Sequence, residues 1–300
     1  MLNLRIIMTN RIQGISFVPC HSPVNSKDIE KLQEFIDNST RLLVLTGAGI
    51  STESGIPDYS SKGVGLYARS SVRPVHFKDF MCKETVRKRY WARNYIGWPR
   101  FSSLKPNINH ICLSNWEKHG KLFSLVTQNV DRLHHKSGTE NVIELHGTTY
   151  RVKCMNCGYK ISRFLFQQIL KYLNPDLQLE AVEVHPDDDE LDSGLLQDFQ
   201  VADCERCGGI LKPDVVFFGD TVPKERVEEV YQKVTNSDAV LAIGSSLKVI
   251  SGYRFVLAAV EQNKPVAVLN IGPTRADHIC NLKICAKCSD ILPRIFLNNG

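Results

Sequence analysis

The chain has 300 residues, of which 43% are hydrophobic and 23% charged, and its formal net charge is +5. This composition is that of a globular protein, and it excludes a disordered chain, a collagen-like repeat and a small disulfide scaffold. No apolar run approaches the roughly 18 residues that a membrane-spanning helix needs, so no membrane partner is expected. The lysines and arginines are scattered rather than arranged in a stripe, which argues against a nucleic-acid partner. A chain of this length forms either one large core or two unequal domains.

Residues 1–26 are predicted to be a mitochondrial transit peptide. They contain two arginines and several hydroxyl residues but no aspartate or glutamate. This bias is typical of proteins imported into the mitochondrial matrix, although a short unstructured tail would look similar. Folded structure is expected to begin with a helix capped by Ser26, because Ile29, Leu32 and Ile36 recur at helical spacing.

Apolar segments of strand length alternate with helical patterns through the rest of the chain. The predicted strands are Leu42–Leu45, Leu122–Val126, Val142–Leu145, Val215–Phe218, Ala239–Ile243 and Val266–Leu269. The predicted helices include Asn107–Lys118, Phe164–Leu173, Pro223–Val234 and Ser251–Gln262. Strands that are apolar throughout are typical of a parallel sheet with helices on both faces. The predicted fold class is therefore α/β, with a doubly wound, Rossmann-like parallel sheet.

Four of the ten cysteines form two matched C-x-x-C pairs, each followed by glycine. Cys154 and Cys157 make the first pair, and Cys204 and Cys207 make the second. This spacing lets four thiolates converge on one tetrahedral zinc ion. A redox motif or two disulfides are the alternatives, but a redox motif needs only one pair and disulfide frameworks rarely use two matched pairs. Because four cysteines leave no position for a catalytic water, the predicted zinc is structural.

Two segments depart from the alternation of strands and helices. Residues 57–106 are rich in Arg, Tyr and Trp, and the residues between the cysteine pairs include an acidic run from 183 to 192. We predict a discontinuous, Rossmann-like sheet domain made of residues 27–56, 107–150 and 211–300. Residues 57–106 are predicted to be a cofactor loop and helical module, and residues 151–210 a zinc-binding module with a long insertion. The inserted segments are expected to form a second, smaller domain in which zinc supplements a small core.

The glycines that follow the first predicted strand are a natural place for a phosphate. Gly47-Ala48-Gly49 would let backbone amides approach a pyrophosphate at the start of a helix. The third glycine of the dinucleotide fingerprint is absent, since position 52 is Thr. No strand ending in an acidic residue follows at the expected distance. This argues against a hydride-transferring dehydrogenase.

The segments after the strands carry a more specific pattern. They read GAGISTESGIPDY from Gly47, TQNVDRLH from Thr127, ELHG from Glu144, KPDVVFFGD from Lys212, GSS from Gly244 and NIG from Asn270. In order and spacing, these motifs and the two cysteine pairs resemble the sirtuin family, and a mitochondrial branch of it, from about residue 27 onward. The resemblance implies an NAD-dependent protein-lysine deacylase that releases nicotinamide. Its substrates would be acylated lysines of mitochondrial proteins, with longer, dicarboxylic or lipoyl acyl groups, and ADP-ribosyl transfer is implied as well.

The resemblance also implies roles for individual residues. His146 would act as the base that removes a ribose hydroxyl proton, and an imidazole suits that step because its pKa lies near working pH. Asn129 and Asp131 would contact the nicotinamide carboxamide, its ribose and the water. Without the flanking motifs, a core histidine and a hydrogen-bonded turn would be the ordinary interpretations. The other implied cofactor contacts are Gly47, Ala48, Gly49, Ile50, Ser51, Glu53, Ile56, Pro57, Asp58, Tyr59, Tyr67, Gln128, Val130, Gly244, Ser245, Ser246, Asn270, Ile271 and Gly272, with Cys288 near the adenine.

Two features bear on the substrate. The segment 215–219 resembles the one that pairs by strand addition with an extended substrate peptide, although it also reads as a core strand. Tyr67, Arg69 and Arg73 supply an aromatic ring and positive charge near the expected acyl channel, which would favour an acyl group ending in a carboxylate. Surface arginines on a cofactor loop are the alternative interpretation.

One position departs from the family pattern. Ser60 stands where the family usually has arginine, so the positioning of NAD should be weaker unless Lys62 or Arg69 substitutes. This departure keeps open a second interpretation, a weakly active zinc-ribbon module that binds NAD or acylated lysine. A zinc-ribbon nucleic-acid binder is a third, which the scattered basic residues disfavour.

Overall fold

The computed structural model describes residues 17–59, 61–69, 74–175, 177 and 198–297. Ser60, Arg73, the acidic run and most of the predicted transit peptide lie outside the described residues. None of the helices in these ranges combines the length and the apolar composition needed to cross a bilayer.

A six-stranded sheet forms the centre of the larger domain, and all neighbouring strands in it are parallel. Its order is β3 (Val142–Glu144), β2 (Leu122–Thr127), β1 (Leu42–Thr46), β7 (Ala239–Ile243), β8 (Val266–Leu269) and β9 (Leu282–Ile284). The chain moves outward from β1 to β3 on one side and from β7 to β9 on the other. The strand order therefore reverses between β1 and β7, and ligands of such sheets bind beyond the carboxyl ends of the strands at this point.

Helices cover both faces of this sheet. One face packs against α1 (Ser26–Asp37), α5 (Ile108–Lys118) and the short α10 (Cys288–Ile291). The other packs against α8 (Lys224–Asn236) and α9 (Ile250–Glu261). Successive residues of β1 alternate between the two cores, as the geometry of a strand requires. The predicted doubly wound α/β fold is confirmed.

The first helix begins one residue earlier than predicted. Asn25, rather than Ser26, is its N-cap, and the Asn25 side chain accepts a hydrogen bond from the Lys27 amide at 3.0 Å. Asn and Ser are about equally favourable N-cap residues, so residue type alone does not show which of Asn25 and Ser26 caps the helix.

A smaller domain contains a three-stranded antiparallel sheet in the order β5 (Lys160–Ser162), β4 (Gly147–Cys154) and β6 (Leu211–Val215). Three helices pack with it: α3 (Phe77–Cys82), α4 (Glu84–Ser103) and α7 (Arg163–Leu173). Trp91 of α4 and Phe166 of α7 lie in one core with Val152 of β4, and the Trp91 indole donates to the Leu211 carbonyl at 3.1 Å. The two inserted segments thus share a core, which confirms a second, smaller domain; the exact boundaries stay a prediction.

The predicted strand Val215–Phe218 is wrong in position and in partner. Strand β6 ends at Val215 and pairs antiparallel with β4 in the small sheet. The next residues leave the sheet: Phe217 packs beside Phe80, and Phe218 is exposed, with its backbone in an isolated bridge to His76. These apolar residues pack in the core of the small domain and line the cavity between the two domains, and they are not part of the parallel sheet.

The sequence pattern missed strands β4, β5 and β9. Strand β4 alternates buried and half-buried residues, a period of two that the polar sequence GTTYRVKC conceals. Strand β9 has three residues and lies at the edge of the large sheet. The remaining short helices are α2 (Leu66–Arg69) and α6 (Leu133–Lys136), with 3-10 helices at Ala48–Ser54 and Leu292–Arg294.

Candidate active site

A cavity of about 1500 Å³ lies between the two domains at the carboxyl ends of β1, β2 and β7. It brings together most of the predicted site residues, including the predicted base and the segments after three strands. These residues are Gly47, Ala48, Gly49, Ser51, Ile56, Pro57, Asp58, Tyr59, Tyr67, Gln128, Asn129, Val130, Asp131, His146, Gly244, Ser245, Ser246, Asn270, Ile271 and Gly272. Residues distant in sequence therefore meet where the strand order reverses.

Gly47 and Gly49 allow a close approach between the first loop and the loop after β7. The Gly47 amide donates to the Ile243 carbonyl at 3.1 Å and the Gly49 amide to the Gly244 carbonyl at 2.8 Å. A Cβ at Gly49 would lie 2.8 Å from the Gly244 oxygen, and one at Gly47 would lie 2.7 Å from the Ser245 Cβ. Both positions therefore require glycine, and a 3-10 helix begins directly after Gly47.

Asn129 and Asp131 are fixed by bonds to the first loop. The Asn129 amide donates to the Gly47 carbonyl at 3.1 Å and to the Ser51 hydroxyl at 3.0 Å. The Ser51 hydroxyl donates to Asp131 Oδ2 at 2.8 Å, while Asp131 Oδ1 accepts from the Leu133 amide at 2.8 Å. Burial raises the pKa of Asp131, and the two hydrogen bonds oppose this effect. The loop after β2 is thereby held against the loop after β1.

Two buried histidines lie beneath this network. The rings of His110 and His134 are 4.8 Å apart, and His134 Nε2 is 3.0 Å from the Thr46 hydroxyl. Burial lowers the pKa of His110 to about 4 and that of His134 well below its usual value. Both rings are therefore neutral. Sequence reasoning gave these histidines no role, because their isolated positions carry no signal of their burial beside the site.

His146 follows β3 and lines the cavity. Its Nδ1 lies 3.0 Å from the Gln128 carbonyl oxygen, and its Nε2 lies 2.8 Å from the Ser251 hydroxyl. Burial lowers the pKa of His146, the Gln128 bond raises it, and the charges of Arg226 and Arg254 lower it further. A neutral imidazole with one nitrogen facing the cavity is the form that accepts a proton.

Three residues around His146 were not predicted as site residues. Ser251 and Arg254, both in the first turns of α9, line the cavity, and Arg226 of α8 donates to the Leu145 carbonyl at 3.1 Å. Ser251 and Arg254 belong to the segment SGYRF, which has no metal-ligand or phosphate-loop spacing. Only the three-dimensional arrangement places them at the base.

Three predicted contacts do not line the cavity. Ile50 is buried in the core, and the Glu53 carboxylate accepts from the Asn109 amide at 3.0 Å and lies 3.2 Å from Lys287 Nζ. Cys288 is only 6% exposed and lies in the core between the large sheet and helices α1 and α5. Burial raises the pKa of its thiol to about 12. A role for these three residues at the cofactor stays a prediction.

The small domain supplies an aromatic and cationic wall. Tyr59, Tyr67 and Phe218 form exposed ring contacts at the cavity, with centroids 5.9 and 6.3 Å apart. Arg163 also lines the cavity but is only 2% exposed, and its guanidinium lies 4.6 Å from the Trp98 ring centre. It donates to Gln167 Oε1 at 2.7 Å and to the Asn94 carbonyl at 3.0 Å, so both of these acceptors are neutral. This wall therefore combines three exposed aromatic rings with one buried guanidinium.

The four predicted metal ligands meet in the small domain. Their sulfur atoms all lie within 4.8 Å of one another, with Cys154 and Cys207 at 3.5 Å and Cys157 and Cys204 at 3.7 Å. Four sulfurs about 2.3 Å from one tetrahedral zinc would be separated by about 3.8 Å. These separations exclude disulfides, whose sulfurs lie about 2.05 Å apart. The amides of Cys157 and Asn156 donate to Cys154 Sγ and lower the pKa of its thiol, which favours the thiolate that a metal needs.

Residues 47–251 match the Sir2 family. The NAD-dependent protein deacylase Sirt4 of Drosophila melanogaster is 51% identical over 93% of this chain and 90% of its own length. The NAD-dependent protein lipoamidase sirtuin-4, mitochondrial, of Homo sapiens is 52% identical over 93% of this chain and 89% of its own. A solved structure of Sir2 with a p53 peptide and NAD+ superposes with a TM-score of 0.70 and 25% identity, covering 89% of this chain and 96% of that one. The chain therefore belongs to the Sir2 family, the sirtuins.

Proposed function

We propose that this protein is an NAD-dependent protein-lysine deacylase. The observation that carries the proposal is the position of His146, neutral and open to the cavity, beside Asn129, Asp131 and the glycine loop. The similar proteins named above as a deacylase and a lipoamidase support the same activity. NAD is the co-substrate in this proposal.

The glycine loop fits a dinucleotide phosphate. Gly47 and Gly49 let the first loop pack directly against the loop after β7, and the small residues Ser245 and Ser246 of that second loop line the same cavity. Backbone amides at such a loop bind phosphate oxygens. Bound there, NAD would supply a ribose C1′ electrophile with nicotinamide as its leaving group.

The residues of the chain have separate tasks in this reaction. Asn129 and Asp131 orient the nicotinamide ribose, held by their bonds to Ser51 and Gly47. Gln128 aligns the base through its carbonyl. The acyl oxygen of the bound lysine would displace nicotinamide at C1′, and His146 Nε2 would then accept the proton of a ribose hydroxyl that attacks the acyl carbon. One water releases the lysine amine and leaves the acyl group on ADP-ribose, while the wall of the small domain keeps bulk water from hydrolysing the C1′ centre.

We extend the proposal to longer acyl groups and to those ending in a carboxylate. The exposed rings of Tyr59, Tyr67 and Phe218 suit the chain of such a group, and lipoyl-lysine has a chain of this kind. Arg163 offers a buried charge to its end, and a desolvated guanidinium binds carboxylate strongly. The side chains of Arg69 and Arg73 lie outside the described residues, so their role at the acyl channel stays a prediction.

ADP-ribosyl transfer to a protein side chain is the second activity we propose. The same C1′ electrophile would then react with a nucleophile of a protein rather than with the acyl oxygen. Two exposed cations at the rim, Lys62 and Lys248, favour an acidic acceptor. Mitochondrial acyl-lysine proteins are the proposed substrates and the matrix is the proposed location, in line with the mitochondrial sirtuin-4 of Homo sapiens.

The test is a panel of lysine peptides that carry acetyl, succinyl, glutaryl-type and lipoyl groups, followed by mass spectrometry with and without NAD. The proposal expects loss of the acyl group only with NAD, and faster loss for the longer and acidic groups than for acetyl. Equal rates across the panel would remove the acyl preference and leave deacylation standing. Binding of peptides without release of nicotinamide from any of them would instead support a regulatory binding module.

A further inference from the structure

Both ring nitrogens of His146 are hydrogen-bonded in the open site. Nδ1 lies 3.0 Å from the carbonyl oxygen of Gln128, which accepts but never donates. Nδ1 therefore carries the hydrogen of the neutral ring, and Nε2 carries the lone pair. The Ser251 hydroxyl, 2.8 Å from Nε2, must then be the donor.

Both partners of the ring are held by rigid elements. Gln128 follows β2, where its amide donates to the Thr46 carbonyl at 3.0 Å and its side chain donates to the Ser245 hydroxyl at 2.9 Å. Ser251 is the second residue of α9 and is 9% exposed. The hydroxyl thus has little freedom to leave the ring by rotating into solvent.

Gly252 explains how α9 can begin this close to Gln128. A Cβ at this position would lie 2.6 Å from Gln128 Oε1. Glycine therefore lets the Gln128 side chain lie against the start of α9, next to the Ser251 that bonds the ring. Arg226 of α8 and Arg254 of α9 are the charged groups that act on His146, and both disfavour a positive charge on the ring.

We propose that Ser251 is a positioning residue for the base: its hydroxyl donates to Nε2 of His146 and, together with the Gln128 carbonyl at Nδ1, holds the ring in one orientation at the cavity wall. This inference rests on the proposed function. A sugar hydroxyl that reaches Nε2 replaces the Ser251 hydroxyl on the same lone pair, so Ser251 orients the ring before the sugar binds and takes no proton. Its contribution belongs to the step that needs the base and not to the departure of nicotinamide.

The experiment compares wild type with Ser251→Ala and Ser251→Thr by two measurements. The first is the ¹⁵N resonance of His146 Nε2 in protein labelled at histidine. We expect it to move toward the value of an unbonded imidazole nitrogen in Ser251→Ala and to return in Ser251→Thr. The second compares deacylation with exchange of labelled nicotinamide into NAD. We expect Ser251→Ala to slow deacylation about tenfold, as a small misalignment of a catalytic group does, and to keep nicotinamide exchange within about twofold.

Ser237→Ala is the matched control, because Ser237 is a buried serine that bonds a carbonyl 2.8 Å away at the end of α8. It removes the same group outside the site and should leave both rates unchanged. An Nε2 resonance that does not respond to Ser251→Ala would overturn the inference. Equal losses in exchange and deacylation would overturn it too, since they indicate a general structural defect. A wild-type enzyme that neither exchanges nor deacylates would contradict the proposed function instead, and the resonance would still decide the hydrogen bond.

Discussion

At the scale of single residues, His146 is largely buried and hydrogen-bonded at both ring nitrogens. The pH dependence of activity therefore reports on the surroundings of this one side chain. Burial and two arginine charges lower its pKa, and the bond to Gln128 only partly offsets them. The base acts when neutral, so its activity is present above the folded-state pKa and is lost as the pH falls through that value.

The pH profile of kcat/KM should therefore have its acidic limb below 6.5, the ordinary histidine value. At pH 6.5 the enzyme should retain more than half of its plateau rate, because most of the imidazole is still neutral there. The measurement is a profile between pH 5 and 8 in which protein stability is followed in parallel. A limb centred above 6.5 would mean that burial does not control the ionisation of His146.

Gly49→Ala tests the approach between the loops after β1 and β7. The added Cβ would lie 2.8 Å from the Gly244 oxygen, and backbone there has no room to relax. Overpacking of this kind costs about 1–3 kcal/mol of stability. We expect the displaced loop to lose about 1.4 kcal/mol of binding free energy as well, which lowers NAD affinity about tenfold. Calorimetric titration with NAD measures the effect, and a melting curve without NAD separates it from lost stability. Unchanged affinity would show that the loop does not hold the phosphates.

At the scale of elements, the segment before α1 is part of the fold. Phe17 is 5% exposed, Val24 packs against the core, and Asn25 caps α1. Pro19 and Cys20 line the cavity. These contacts fall inside residues 1–26, predicted as a transit peptide, so we expect any cleavage to precede residue 17.

Two truncations test this expectation. A chain that starts at residue 26 should be less stable than one that starts at residue 17 by about 3 kcal/mol, from the lost burial of Phe17 and the lost cap. Urea unfolding of both chains gives the difference in the free energy of unfolding. Equal free energies of unfolding for the two chains would support the predicted end of the transit peptide at residue 26.

The elements also show what the sequence can predict. Strands β7 and β8 match their predicted bounds because they are buried on both faces and their apolar runs are unbroken. Asn107 at the start of α5 was equally clear, since its side chain caps the helix. The segment Val215–Phe218 is as continuously apolar as β7 and β8, but it lines the cavity instead of forming a strand of the large sheet. Composition does not reveal which of these two places an apolar segment occupies. Ser251 was beyond prediction for a related reason: its partner lies 105 positions away.

At the scale of the whole molecule, the cavity depends on two domains that are stabilised differently. The large domain has a core on each face of its sheet. The small domain has one core, which includes two of the four clustered cysteines. Since small cores rarely suffice alone, the metal should stabilise one wall of the cavity.

Removal of zinc should therefore abolish activity without unfolding the large domain. With a strong chelator, or in Cys154→Ser, we expect a lower melting temperature and changed fluorescence of Trp91 and Trp98, which pack in or beside the small core. Cys82→Ser is the control, because Cys82 is exposed and outside the cluster. A chelated protein that contains no zinc yet keeps its melting temperature would show that the four cysteines do not hold a structural metal.

The most direct measurement is the mass balance of one reaction with NAD and an acylated lysine peptide, for wild type and His146→Phe. We predict that wild type yields nicotinamide, free lysine peptide and acyl-ADP-ribose in equal amounts, and that His146→Phe yields at most about one hundredth of the free peptide, the loss expected without a general base. Free peptide formed without nicotinamide, or formed at the wild-type rate by His146→Phe, would contradict the account.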